Sequence, residues 1–63
     1  MMRWAFQHIT PFYYGKWWSW IKGGAFLTPQ EADPFDDLNE IYRRYARDQS
    51  FMARTYAIQE VPE

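Results

Sequence analysis

The absence of cysteine constrains this chain most, because 63 residues are few for a fold that burial alone must hold together. A chain of this length hides only about 60% of the surface its unfolded form exposes. Small chains make up the shortfall with disulfides, a structural metal, an idealised core or a partner. With no cysteine and His8 as the one histidine, neither a disulfide framework nor a zinc site of Cys and His ligands can be built. A private core or a partner remains.

Four Trp, five Tyr and five Phe make the chain unusually aromatic. Large aromatics dominate interface energetics, and an uncovered aromatic surface marks a contact site, so this composition favours a partner. Charge divides the chain near Leu27. Residues 1–27 carry Arg3, Lys16 and Lys22 and no carboxylate, a balance of +3, whereas residues 28–63 carry four Arg and all eight acids, a balance of −4. The expected organisation is a basic, aromatic-rich anchor segment over 1–27, followed by a capped amphipathic helix and short tail over 28–63.

Met2–Ile9 contains no Gly or Pro and reads as a short helix, ended by Pro11, which disfavours helical geometry at Thr10. Gly15 and Gly23-Gly24 bracket Lys16–Lys22, which reads as a helical turn or an extended aromatic clamp. Thr28-Pro29-Gln30-Glu31 has capping-box spacing, and Asp33-Pro34-Phe35-Asp36 repeats the start signal with Asp33 as cap. After Pro34 no Gly or Pro occurs until Pro62, and Leu38, Tyr42, Tyr45, Met52 and Tyr56 fall at helical spacing, interrupted at Gln49. Glu40 with Arg44 and Arg44 with Asp48 are candidate ion pairs one turn apart on the polar face. These signals predict one long amphipathic helix over about 34–58, with Gln59–Glu63 as a frayed tail. The expected fold class is all-α: an extended chain with an irregular or short-helical aromatic N-terminal half and no autonomous globular core.

Catalytic ingredients are sparse. Ser19, Ser50 and His8 sit in no nucleophile-elbow or metal-binding pattern, and Asp36-Asp37 reads as helix N-terminal charge, so no enzyme, cofactor or metal is expected. Trp4–Leu27 is interrupted by His8, Pro11, Lys16 and Lys22 and is too polar to span a bilayer. Its mixture of Trp, Tyr, Lys and Arg suits the headgroup level equally with burial against protein, so both a peripheral lipid contact and a protein interface stay open. Lys16-Trp17-Trp18-Ser19-Trp20-Ile21-Lys22 interleaves bases with stacking surfaces as single-strand nucleic-acid binders do, but seven bases against eight acids leave little charge for phosphate. The expected partner or membrane interface comprises Trp4, Phe12, Tyr13, Tyr14, Trp17, Trp18 and Trp20, together with the stripe Leu38, Tyr42, Tyr45, Met52 and Tyr56.

Thr10-Pro11-Phe12-Tyr13-Tyr14 with Trp17 is similar to the start of the small proteolipid (i/j) subunits of ATP synthase, which place a Pro-aromatic-Tyr segment before a membrane helix. Here Lys22, Gly23 and Gly24 stand where that helix would run. As a class, the chain resembles the short accessory subunits of mitochondrial respiratory complexes and ATP synthase. That resemblance implies a non-catalytic role in assembly or stability, other subunits as partners, and a peripheral place at the mitochondrial inner membrane. A start at Met1-Met2-Arg3 without a cleavable signal pattern is also compatible with the cytoplasm. The competing readings are an autonomous soluble protein-binding mini-domain, with the aromatics as a private core, and a single-stranded nucleic-acid binder.

Overall fold

Trp4-Ala5-Phe6-Gln7-His8 alternates two sets of side chains, and an extended backbone sends such sets to opposite faces. In the computed structural model, which describes residues 2–62, this segment is β1 (Trp4–His8), an inner strand of a four-stranded antiparallel sheet. β2 (Trp17–Ser19) and β3 (Gly24–Phe26) extend the sheet on one side, and β4 (Tyr56–Glu60) closes the other, giving the order β3-β2-β1-β4. β1 and β4 pair throughout, from Trp4↔Glu60 to His8↔Tyr56. Between β3 and β4 the chain makes a 3-10 turn (Pro29–Glu31), α1 (Leu38–Ala46) and α2 (Gln49–Thr55).

The helices cover the face that bears Phe6 and His8. Phe6, Ile41, Met52 and Tyr56 form its buried centre, with Trp4, Trp18, Trp20, Phe35, Tyr45 and Ile58 packed around them. Each such large apolar side chain stabilises the fold by about 1.5–3 kcal/mol when fully buried. The other face is thinner, a cluster of Ala5, Trp17, Ala32 and Val61. After β3 the chain crosses this face, where Ala32 covers Trp17, and then reaches Phe35, which exchanges two backbone hydrogen bonds with Trp4 (2.9 and 3.0 Å).

This architecture overturns the all-α expectation. Trp4, Phe6, Trp18, Trp20, Phe35, Tyr45 and Tyr56, which composition alone assigned with the other aromatics to a partner, supply a private core between sheet and helices, so the chain is neither extended nor without a core of its own. Its Cα radius of gyration is 10.8 Å, and a compact chain of this length has about 10.6 Å.

Each local departure has a physical cause. Met2–Ile9 is a strand and not a short helix, because β1 finds ladder partners in β4 on one side and Lys16 on the other. Lys16–Lys22 is β2 and the turn after it, not a helical turn. The single helix over 34–58 is replaced by two helices and a strand. Its first cap is Asp37, whose side chain accepts from the Asn39 N–H at 2.9 Å, and not Asp33. The break falls at Asp48 (φ −143°, ψ 69°), beside Gln49, where the apolar stripe is interrupted. Helix gives way to strand at Tyr56, because residues 56–60 find their ladder on β1. Thr28-Pro29-Gln30-Glu31 makes only the 3-10 turn, its Thr28 hydroxyl donating to the Glu31 carboxylate at 2.7 Å. The expected Glu40–Arg44 and Arg44–Asp48 pairs do not form among the described residues; the Arg44 guanidinium lies over the Trp20 ring, 4.6 Å from its centroid. The tail is not frayed through Val61, which is buried and donates its N–H to Arg3 O at 2.8 Å. Glu63 lies outside the described residues.

Candidate functional site

The loop joining β1 to β2 is built by its own backbone. His8 N–H donates to Lys16 O (2.8 Å), Gly15 N–H to His8 O (2.9 Å), Lys16 N–H to Tyr13 O (2.9 Å) and Tyr13 N–H to Thr10 O (3.3 Å). Gln7 Nε2 adds a side-chain bond to Gly15 O at 2.8 Å. Gly15 sits at φ +83°, where a side chain would be strained, and Pro11 fixes its own φ. A loop so constrained leaves Phe12 90% and Tyr14 74% exposed, with Tyr13 at 50%. Ile9 and Phe51 extend the exposed apolar surface at the same end of the sheet. Ile9 N–H donates to Thr55 O (3.0 Å), and the Phe51 ring lies 6.1 Å from that of Tyr56. Lys16 Nζ stands 5.8 Å from the Tyr13 ring centroid.

Beneath the loop lies His8. Its ring is enclosed by Tyr13, Trp18 and Tyr56, with centroids 5.3, 5.2 and 4.6 Å away. His8 is only 6% exposed, and neither of its ring nitrogens nor Trp18 Nε1 has a hydrogen-bond partner. Desolvation therefore disfavours the imidazolium and lowers the His8 pKa from its ordinary 6.5. The same burial raises the Tyr56 phenol above 10.0.

His8 has no nucleophile beside it in Ser19, because alternation along the strands puts Ser19 on the opposite face with Trp17. The Ser19 hydroxyl is also engaged, donating to Asp33 Oδ1 at 2.7 Å and accepting from the Lys22 N–H at 2.9 Å. Among the described residues, no group of three or more His, Asp or Glu is placed to hold a metal ion, and no helix is long and apolar enough to cross a membrane.

The interface residues expected from sequence are dispersed. Phe12, Tyr13 and Tyr14 share the exposed loop, and Leu38 and Tyr42 are exposed on α1. Trp4, Trp18, Trp20 and Tyr45 are half-buried against the core. Trp17, Met52 and Tyr56 are buried. Ile9, Phe51 and His8 join the loop end only through the β1–β4 pairing and the turn of α2 into β4, and no local sequence signal announces that meeting.

Comparison with protein-family models, with curated proteins and with solved structures finds no match. The site's geometry carries the functional argument by itself.

Proposed function

We propose that this chain is a non-catalytic binding module that docks on a protein partner through the loop bearing Phe12, Tyr13 and Tyr14, as an accessory component of a larger assembly. The observation that carries this reading is the pairing of high exposure with a fixed backbone. Phe12 is 90% exposed on a loop held by four backbone hydrogen bonds. An uncovered Phe forgoes about 1.5–3 kcal/mol of burial, which a partner's apolar cleft would recover. Because the loop is already ordered, little further conformational entropy is lost on docking. Aromatic anchors of this kind typically cost about 2 kcal/mol or more of binding when truncated.

A membrane surface is the second reading, favoured by Lys16 beside these rings and by the absence of carboxylates from residues 1–27. Both readings are compatible with the accessory-subunit role at an inner membrane that the class resemblance implies.

Paired co-purification and vesicle flotation separate the two. The tagged chain and its Phe12→Ala/Tyr14→Ala variant are expected to melt at the same temperature, while the variant loses its co-purifying protein and neither form floats with anionic vesicles. Flotation of the native chain that the variant lacks would establish the membrane reading instead. A variant that melts early would make the two rings structural and end the proposal.

A further inference from the structure

α1 carries its charges in two blocks. Asp36, Asp37 and Glu40 stand before or in its first turn, and Arg43, Arg44 and Arg47 at its end. The three arginines, with Pro34, Phe35 and Glu40, line an open groove of about 310 Å³. All three are exposed, and among the described residues none has a carboxylate within 4.0 Å. Arg44 is nevertheless held in place, its guanidinium 4.6 Å from the Trp20 centroid. Trp20 is fixed in turn by its backbone N–H, which donates to Asp33 Oδ2 (2.8 Å), and by edge contact of its ring with Phe6 (5.4 Å). A cation–π contact restrains the guanidinium without using up its N–H donors, which stay available to an acceptor. Arg43 and Arg47 lie one turn apart on the same flank.

We propose that this groove binds an acidic segment of a partner protein, with two carboxylates on the arginine forks and an apolar side chain against Pro34 and Phe35. Three arginines against Glu40 leave two positive charges in the groove, which two carboxylates match. A nucleic-acid strand following the helix would run into Asp36 and Asp37, and the chain as a whole carries −1. A second copy laid antiparallel would set its Asp36 and Glu40 against Arg47 and Arg43, so self-association is the competing outcome that the test includes. The site is separate from the aromatic loop. Phe35 bridges the Trp4 end of β1, whereas the loop leaves the His8 end.

The test is an NMR amide-shift titration of the full chain at physiological salt. The probe is a blocked pentapeptide of four glutamates around a central leucine, and the controls are its all-glutamine counterpart and a short oligothymidylate. Saturable shifts confined to residues 34–47 and the Trp20 indole are expected. Arg43→Gln/Arg47→Gln should weaken binding at least tenfold, and Arg43→Lys/Arg47→Lys, which keeps charge but not the fork, should weaken it less. Arg44 stays in place because it packs on Trp20. Phe12→Ala/Tyr14→Ala should leave the titration unchanged, so this site and the loop fail independently. Equal binding of the glutamine peptide, tighter binding of the oligothymidylate, shifts centred elsewhere or no saturation would each overturn the proposal. Self-association abolished by the double Gln variant would do so too, by making a second copy the occupant.

Discussion

Replacing Asp33 by alanine should remove a large share of this protein's stability, although the residue lies in a loop. Its carboxylate accepts from the Ser19 hydroxyl (2.7 Å), the Trp20 N–H (2.8 Å) and the Ile21 N–H (3.4 Å). Ser19 Oγ accepts in turn from Lys22 N–H (2.9 Å), so the whole β2–β3 turn is organised from a residue 14 positions away. The long, exposed Ile21 contact counts for nothing. The two short bonds to an ionised acceptor contribute about 1.5–3 kcal/mol each, and at partial burial the lower figure applies, giving about 3 kcal/mol in all. A 63-residue domain has a total stability of about 3–9 kcal/mol at about 0.05–0.15 kcal/mol per residue. Asp33→Ala should therefore lower Tm by about 12–24 °C. Urea unfolding followed by circular dichroism and Trp fluorescence gives the loss directly. Asp33→Asn should lose less than Asp33→Ala, since its Oδ1 can still accept from the Trp20 backbone N–H and its Nδ2–H can donate to the Ser19 hydroxyl oxygen, leaving only the charge assistance missing. Ser19→Ala combined with Asp33→Ala should fall short of additivity by about 1 kcal/mol or more. A loss below about 1 kcal/mol for Asp33→Ala, or strict additivity of the pair, would refute this role of the Asp33 carboxylate.

Two further stability measurements probe other parts of the fold. Burial lowers the His8 pKa, so the unfolded chain binds a proton that the folded one resists. Its contribution is intact above pH 6.5 and is lost as pH falls through that value toward the lower folded pKa. The Tyr56 phenol, raised from 10.0, acts in the opposite sense, and its contribution is lost as pH climbs above that value. The urea midpoint should be highest between these limits, and His8→Phe should flatten the acid limb. Gly23→Ala should cost about 1–2 kcal/mol purely through backbone strain, because Gly23 sits at φ +72° and a Cβ there would meet no atom within 4 Å. A loss well above that range in thermal melts would point to a contact at the turn.

Punctuation in this sequence was legible, and pairing was not. Gly15 and Gly23-Gly24 mark the two hairpin connections, Pro29 opens the 3-10 turn, and the helical residues 38–55 lie inside the predicted span. β2 and β3 are three residues each, too short to display a period of two. β1 does alternate, but its helical alternative was not excluded by any local residue. Tyr56 was the most misleading position, because its step of four from Met52 satisfies a helix and only the ladder to β1 decides otherwise. Asp33-Pro34 imitates a helix cap, while its carboxylate serves a turn that is distant in sequence. At the site, Pro11 and Gly15 flank an aromatic run that stood out as a contact segment. The unpartnered His8 beneath it arises only when Tyr13, Trp18 and Tyr56 converge from three parts of the chain.

The β1–β4 ladder also sets when this domain can come into being. Its pairs join residues about fifty positions apart, Trp4 to Glu60 and His8 to Tyr56, and such non-local closure is slow. On the ribosome, the strand that carries Phe6 is made about fifty residues before its longest partner. Until residue 60 has cleared the exit tunnel, β1 has an open edge and its aromatic face lacks Tyr56 and Ile58. Throughout that interval the face that bears Phe6 lacks the part of its cover that β4 supplies, and the sheet can close only once β4 is free to pair.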